Sequence, residues 1–232
     1  MVNFDFESLC YNNNIKMVGV DEAGRGSWAG PLVAAACWID FNNHKSLHSD
    51  VNDSKKLKTK KRKEIIHSLN KSVKYSTGIA SEKEIDLYGL TFANALAMKR
   101  SIFCLMQSFK NCQKDQSDQI HLYIDGKYKP DFSTIEITSV EKKRLNLTFN
   151  HLVSIIKGDS KSKTIALASI IAKETRDSVM RNYSLIYPLY GLERNFGYGT
   201  SLHKIAILKH GISKLHRKSF KPISTICGKK NS

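Results

Sequence analysis

Nothing in this 232-residue chain approaches the roughly 18 consecutive apolar residues that a membrane-spanning helix needs, so no membrane span is expected. A secretory signal is also missing. The opening stretch, Met1-Val-Asn-Phe-Asp-Phe-Glu7, is acidic and mixed rather than basic and then apolar, and a cytoplasmic protein is expected. Prolines number only four, and no Pro-rich or Ser-rich run marks a linker. One domain is therefore expected over 1–232. The five cysteines (Cys10, Cys37, Cys104, Cys112 and Cys227) are odd in number and scattered, without a Cys-x-x-Cys pair. That pattern argues against both a zinc site and a disulfide framework. Acids are scarce as well: 21 Asp and Glu stand against 37 Lys and Arg, a net charge of +16. Such an excess attracts phosphate-bearing partners, although charge alone fits a merely soluble basic protein equally well.

The few acids are distributed tellingly. In Met17-Val-Gly-Val-Asp-Glu-Ala-Gly-Arg-Gly26, an apolar run ends in the adjacent carboxylates Asp21 and Glu22, and a glycine-flanked arginine follows. His121-Leu-Tyr-Ile-Asp125-Gly126 repeats the arrangement, and Val153-Ser-Ile-Ile-Lys-Gly-Asp159 is a third instance. Taken singly, an acidic pair, an Asp-Gly and an Asp-Ser are ordinary turn or cap elements. Together they put Asp21, Glu22, Asp125 and Asp159 at the ends of three candidate strands. Carboxylates without histidine or cysteine partners suit hard cations such as Mg²⁺ or Mn²⁺. In so basic a protein, they suggest a divalent-metal site acting on a polyanion.

The pattern predicts strands over 17–20, 32–39, 73–80, 120–124 and 152–156, with the first pair of acids in a loop. Helices are expected over 60–70, from the capping box Ser81-x-x-Glu84, over 91–106 after a break at Gly89, over 164–183, and over 199–210 up to Gly211. Residues 111–119 read as a loop and 126–150 as a region with a short hairpin. Strands mixed with helices predict an α/β domain with a mixed sheet.

Two motifs compete for attention. Gly24-x-Gly26-x-x-Ala29 matches a loose dinucleotide fingerprint, but Asp21 and Glu22 would repel a pyrophosphate, and Pro31 with a β-rich run follows where a helix should open. Ser160-x-x-Lys163 resembles the nucleophile motif of penicillin-recognising enzymes, but its partner motifs are absent, and Ser160 is read as a helix cap.

From about Met17 to Ile223 the chain resembles the ribonuclease HII family. The matching residues are Val20-Asp-Glu-Ala-Gly-Arg-Gly26 with Ala29-Gly-Pro31, Asp53-Ser-Lys-Lys-Leu57 and Tyr123-Ile-Asp-Gly126. Lys157-Gly-Asp-Ser160 with Ala168-Ser-Ile-Ile-Ala-Lys173 and Arg176-Asp177 follows, then Gly197-Tyr-Gly-Thr200 with His203, and His216-Arg-Lys-Ser-Phe220. The short stretch before Asp21 and the Gly-Arg-Gly loop fit this branch better than the related HIII branch. Two departures stand out. The segment 126–157 between Asp125 and Asp159 is longer and more polar than the family usually has, and Trp28 replaces a smaller aliphatic residue; it is read as packed in the core.

The resemblance implies a ribonuclease H-like fold: a mixed central β-sheet flanked by helices, with the core at about 15–190 and a helical C-terminal segment at about 191–223 that grips substrate. It implies that Asp21, Glu22, Asp125 and Asp159 form the metal-binding catalytic set, with Mn²⁺ or Mg²⁺ as cofactor and two ions when substrate is bound. Gly24, Arg25 and Gly26, with Tyr198, would read the RNA–DNA junction through the 2′-hydroxyl and the neighbouring deoxyribose. Lys55 would contact phosphate, with Lys56, Lys161 and Lys173 as weaker candidates. His203, His216 and Arg217 are expected to support the C-terminal helices or to touch the nucleic-acid backbone. The implied activity is endonucleolytic: hydrolysis of RNA in RNA–DNA hybrids and cutting 5′ of ribonucleotides in duplex DNA, leaving 5′-phosphate and 3′-hydroxyl ends. In that chemistry Asp21 and Asp125 would contact both ions, and Glu22 and Asp159 one each. A monomer is expected. The competing readings are another nuclease of the same fold class and a catalytically silent nucleic-acid-binding module; metal-dependent turnover on hybrids separates them.

Overall fold

A computed structural model describes residues 2–52, 54–110, 119–133, 135 and 149–228. Asp53, residues 111–118 of the expected 111–119 loop (with Cys112), and most of the expected hairpin region (134 and 136–148) lie outside the described residues. The sheet has the order β3-β2-β1-β4-β5. Strand β1 (Ile15–Ala23) pairs antiparallel with β2 (Leu32–Ile39), which pairs antiparallel with β3 (Val73–Ala80). On its other side β1 runs parallel to β4 (Gln119–Asp125), and β4 to β5 (His151–Ile155). The expected mixed sheet is present.

Alternation along the strands decides which helix each side chain meets. Val18 and Val20, with Leu32, Ala34 and Ala36, face a core shared with helix α4 (Leu90–Lys110). Ala35, Cys37 and Ile39 face the other core, with Ala166, Leu167 and Ile170 of helix α5 (Lys163–Ile186). Being covered on both faces, β2 is an almost unbroken apolar run. Before these come α1 (Asp5–Asn12), α2 (Thr59–His67) and α3 (Glu82–Tyr88). Ser81 and Glu84 form the expected capping box of α3, and Gly89, at φ +81°, separates α3 from α4.

Beyond α5, a single turn at Leu192–Asn195, helix α6 (Ser201–His210) and helix α7 (Lys221–Gly228) pack around Met180, Tyr190, Ile207, Leu215 and Ile223. Trp28 packs against this cluster, as expected, and a Cβ on Gly199 would come within 2.2 Å of its indole.

Three local expectations need correction. Asp21 and Glu22 are not in a loop: β1 continues to Ala23 because β2 pairs with it through Asp21–Ala35, Glu22–Ala34 and Ala23–Val33. Asp159 does not end a strand. β5 stops at Ile155, the chain turns at Lys157 (φ +56°), and Asp159 sits in a 3₁₀ turn over Gly158–Ser160. That extra turn pushes the start of α5 back, so Ser162, not Ser160, caps it, accepting from the Ile165 amide at 3.2 Å.

Candidate active site

The in-register parallel pairing of β1 and β4, with Val20 opposite Ile124, brings Asp21 and Asp125 side by side on the face toward α5. Asp159 joins them through the turn after β5. The Gly158 amide donates to Asp125 Oδ1 at 2.6 Å, which locks the turn against the strand end. A side chain at Gly158 would put its Cβ 2.8 Å from Ile165 Cδ1 and 3.4 Å from that same carboxylate oxygen, so a larger residue would crowd the turn and displace Ile165. One carboxylate oxygen from each of Asp21, Asp125 and Asp159 then lies within 4.8 Å of the others, the one such group of three or more potential ligands among the described residues. Asp21 and Asp159 are buried.

Burial and the neighbouring Glu22 and Asp125 carboxylates raise the Asp21 pKa well above the ordinary carboxylate range, against hydrogen bonds from Ser169 and the Glu22 amide. Glu22 is raised too, first by burial and also by Asp125, with Arg25 opposing. Glu22 is not in the three-oxygen group. Its carboxylate lies 3.5 Å from Arg25 Nη1 and hydrogen-bonds the Asn94 side chain, pointing toward the α4 side. Crowded hard-oxygen ligands with raised pKa values fit a divalent cation, which would relieve their mutual repulsion.

Around this cluster lies a cavity of about 350 Å³ lined by Asp21, Glu22, Gly24, Arg25, Gly26, Ser54, Lys55, Ser169, Lys173 and Tyr198. The fold therefore gathers every expected site residue into one region. Lys55, largely exposed, reaches Asp159 Oδ2 at 3.8 Å. Lys173 bonds Asp177 at 2.7 Å and stands 5.7 Å from the Tyr198 ring centre. Lys56 and Lys161 are exposed surface residues.

Two fully buried arginines hold the loops that line the cavity. Arg176 donates to the carbonyls of Pro31, Phe196 and Ala29 and to Ser27 Oγ at 2.7–3.1 Å, and its guanidinium lies 5.3 Å from the Tyr198 ring centre. Gly24, at φ +93°, passes so close that a Cβ there would be 2.0 Å from Arg176 Nε. Arg217 donates to the Gly30 and Arg25 carbonyls. From the other side a tautomer-defined chain fixes Tyr198. The Ser213 amide donates to His216 Nδ1, His216 Nε2 donates to His203 Nε2 at 3.2 Å, and His203 Nδ1 donates to the Tyr198 carbonyl at 2.9 Å. The histidines and Arg217 thus have the expected supporting role.

The site contains residues that the motifs alone do not single out. Ser169 touches Asp21 and shares a 2.8 Å hydrogen bond with Ser54, while Asn94 holds Glu22. The two serines lie inside motif blocks, and the polar position of Ser169 on the buried stretch of α5 is a usable signal. Asn94 sits in the apolar pattern of α4, with no comparable mark.

A mixed sheet with an acid cluster at the end of β1 and β4 defines a metal-dependent nuclease of the ribonuclease H class, and comparison with known proteins agrees. A solved ribonuclease H2 from Pyrococcus horikoshii superposes with a TM-score of 0.70 at 25% identity, covering 94% of this chain and all of that one. The fold is shared also by Bst-RNase HIII, solved with Mn²⁺, at a TM-score of 0.70 and 20% identity over 93% of this chain and 70% of that one. Ribonuclease HII of Clostridium botulinum is 40% identical over 222 residues, 95% of this chain and 72% of the relative. The family model described as ribonuclease HII matches residues 18–223, and the chain belongs to that family. It is accordingly a metal-dependent hydrolytic endonuclease acting on RNA–DNA hybrids. Among the described residues no helix is long and apolar enough to cross a membrane.

Proposed function

We propose that this protein cuts 5′ of ribonucleotides embedded in duplex DNA, as well as within longer RNA–DNA hybrids, leaving 5′-phosphate and 3′-hydroxyl ends. The observation that carries this reading is that Asp21, a member of the acid group, lines the same cavity as the Gly24–Gly26 loop and Tyr198. The acids supply ligands for chemistry on a phosphodiester, and the loop and ring supply a means of inspecting the sugar beside it.

In this reading Asp21, Asp125 and Asp159, with Glu22 at the rim, hold Mg²⁺ or Mn²⁺, two ions when substrate is bound. Such ions supply a nucleophile at neutral pH and relieve charge on the leaving 3′ oxygen. Ser169 and the Glu22 amide orient Asp21, and the Gly158 amide orients Asp125. Gly24 and Gly26 let backbone groups approach the 2′-hydroxyl, and Tyr198 places its ring against the following deoxyribose. Lys55 and Arg25 meet phosphates. Residues 191–223 form a substrate-gripping extension of a single catalytic domain.

The test is a DNA duplex with one internal ribonucleotide, incubated with Mn²⁺, Mg²⁺ or chelator, with the product ends identified. Cutting 5′ of the ribonucleotide with a 5′-phosphate, absent in chelator, is expected. Cutting of long hybrids only would remove the single-ribonucleotide part of the proposal.

A further inference from the structure

A second cavity, of about 600 Å³, opens beside the acid cluster on the α4 side, where Glu22 and Asp125 line one end. Its volume is in the ~300–1,000 Å³ range of small-molecule sites. Unlike the cavity at Tyr198, it is walled by aromatic and apolar groups. Tyr88, at the end of α3, and Phe92, in the first turn of α4, hold their rings 5.1 Å apart with 36° between planes. Tyr128, on the segment after β4, is 68% exposed and lines the same cavity. Met98 and Ala95 line it from α4, and Arg25 and Lys127 stand among the carboxylates Glu22, Asp125 and Asp131.

These walls are anchored. The buried Lys99 ammonium donates to the Phe132 and Ile135 carbonyls at 2.9 and 3.0 Å, tying the segment after β4 to α4. Ser154 Oγ donates to the Tyr128 carbonyl at 3.0 Å and holds that residue to β5. Asn94 lines the cavity and hydrogen-bonds Glu22, so the aromatic walls and the acid cluster are mechanically continuous.

We propose that this aromatic groove holds an unpaired nucleotide of the cleaved strand, next to the position being cut. The inference rests on the nuclease reading above and deepens it by adding a substrate class: sites where the ribonucleotide or its neighbour is mismatched or frayed. A strand whose phosphate lies at Asp21, Asp125 and Asp159 must continue away from them, and the groove begins at Glu22 and Asp125. The exposed aromatic faces suit a base, because every base presents a π-face, and Arg25 and Lys127 can meet its phosphate. A paired base remains inside the duplex stack, whereas an unpaired one leaves it at low cost. The groove therefore adds binding energy only for the unpaired substrate.

The test uses two duplexes, each with one ribonucleotide and with 2-aminopurine as its neighbour, paired in one and mismatched in the other. In chelator, binding of the mismatched duplex should change the 2-aminopurine fluorescence by stacking, and binding of the paired one should not. With Mn²⁺, Tyr128→Ala and Phe92→Ala should lower the ratio of mismatched to paired cutting about tenfold, within the ~1–3 kcal/mol of one base–aromatic stack. Tyr128 is exposed enough that its variant should fold even if Phe92→Ala does not. An unchanged fluorescence signal with wild type, or an unchanged cutting ratio in Tyr128→Ala, would overturn the groove assignment. Failure of the wild type to cut either duplex would instead overturn the single-ribonucleotide reading on which the inference rests, while the fluorescence still tests the groove separately.

Discussion

The guanidinium of Arg217 donates a 3.0 Å hydrogen bond to the carbonyl oxygen of Arg25, joining the C-terminal segment to the glycine loop beside the acids. Arg217 is fully buried, and burial together with the nearby Arg176 lowers its pKa to about 9. Its guanidinium donates to the Gly30 and Arg25 backbone carbonyls, so it acts as a strut between loops. Arg217→Met would leave the Gly30 and Arg25 carbonyls without this donor, at a cost of about 1–3 kcal/mol. The expected result is a lower melting temperature together with a larger loss of cutting at single ribonucleotides than on long hybrids. Equal losses on both substrates would mean that the loop does not inspect the junction.

Asp21 carries a charge conflict in the metal-free protein. Its folded-state pKa lies above the unfolded value, so its contribution to stability is fully present below the unfolded pKa of about 4 and is lost as pH rises through the raised value. At neutral pH in chelator, Asp21→Asn should therefore melt higher, by about 2–4 °C for each kcal/mol relieved. The same substitution should reduce cutting by about two orders of magnitude or more, because a metal ligand is lost. Calorimetry in chelator and a cleavage assay check the two halves; a lower melting point would contradict the conflict.

The paired histidines give the opposite pH dependence. Burial, then His203, holds His216 down to about 4, from an ordinary 6.5. Burial lowers His203 as well. A depressed folded-state pKa means that this stability is present above pH 6.5 and is lost as pH falls toward 4, by up to about 3 kcal/mol for His216. Thermal melts should therefore fall over that window, and His216→Asn should fall less steeply than wild type. Parallel curves would show that the pair does not titrate on unfolding.

With a net charge of +16 and lysines or arginines around the site, hybrid binding should weaken steeply with salt. A log–log slope steeper than about −3 is expected from several neutralised phosphates. Anisotropy titrations of a catalytically inactive variant check this, and a slope near zero would contradict a phosphate-dominated interface.

Sequence pattern made much of this legible where one local rule dominated. The apolar runs at 32–39 and 73–80 coincide with β2 and β3, and the Ser81–Glu84 box opens α3. Asp125 was readable as a strand-end acid because its strand stops there. Local pattern puts Asp21 and Glu22 in a loop, since only pairing with β2, which that pattern does not reveal, extends β1 to Ala23. The turn to Asp159 was hidden because Ile156 continues the apolar run of β5, while the reversal depends on Lys157 adopting a left-handed conformation. The burial of Arg176 and Arg217 has no local mark in sequence; their carbonyl acceptors become adjacent only when distant loops meet.

The most direct test compares wild type and Asp125→Asn on a long RNA–DNA hybrid with Mn²⁺, followed by chelation. The account predicts that wild type cuts the RNA strand, that chelator stops it, and that the variant binds the hybrid with near-normal affinity while cutting at least about a hundredfold more slowly. Wild-type cutting that persists in chelator, or an Asp125→Asn variant with full activity, would contradict the assignment of the acid cluster as the metal-binding catalytic site.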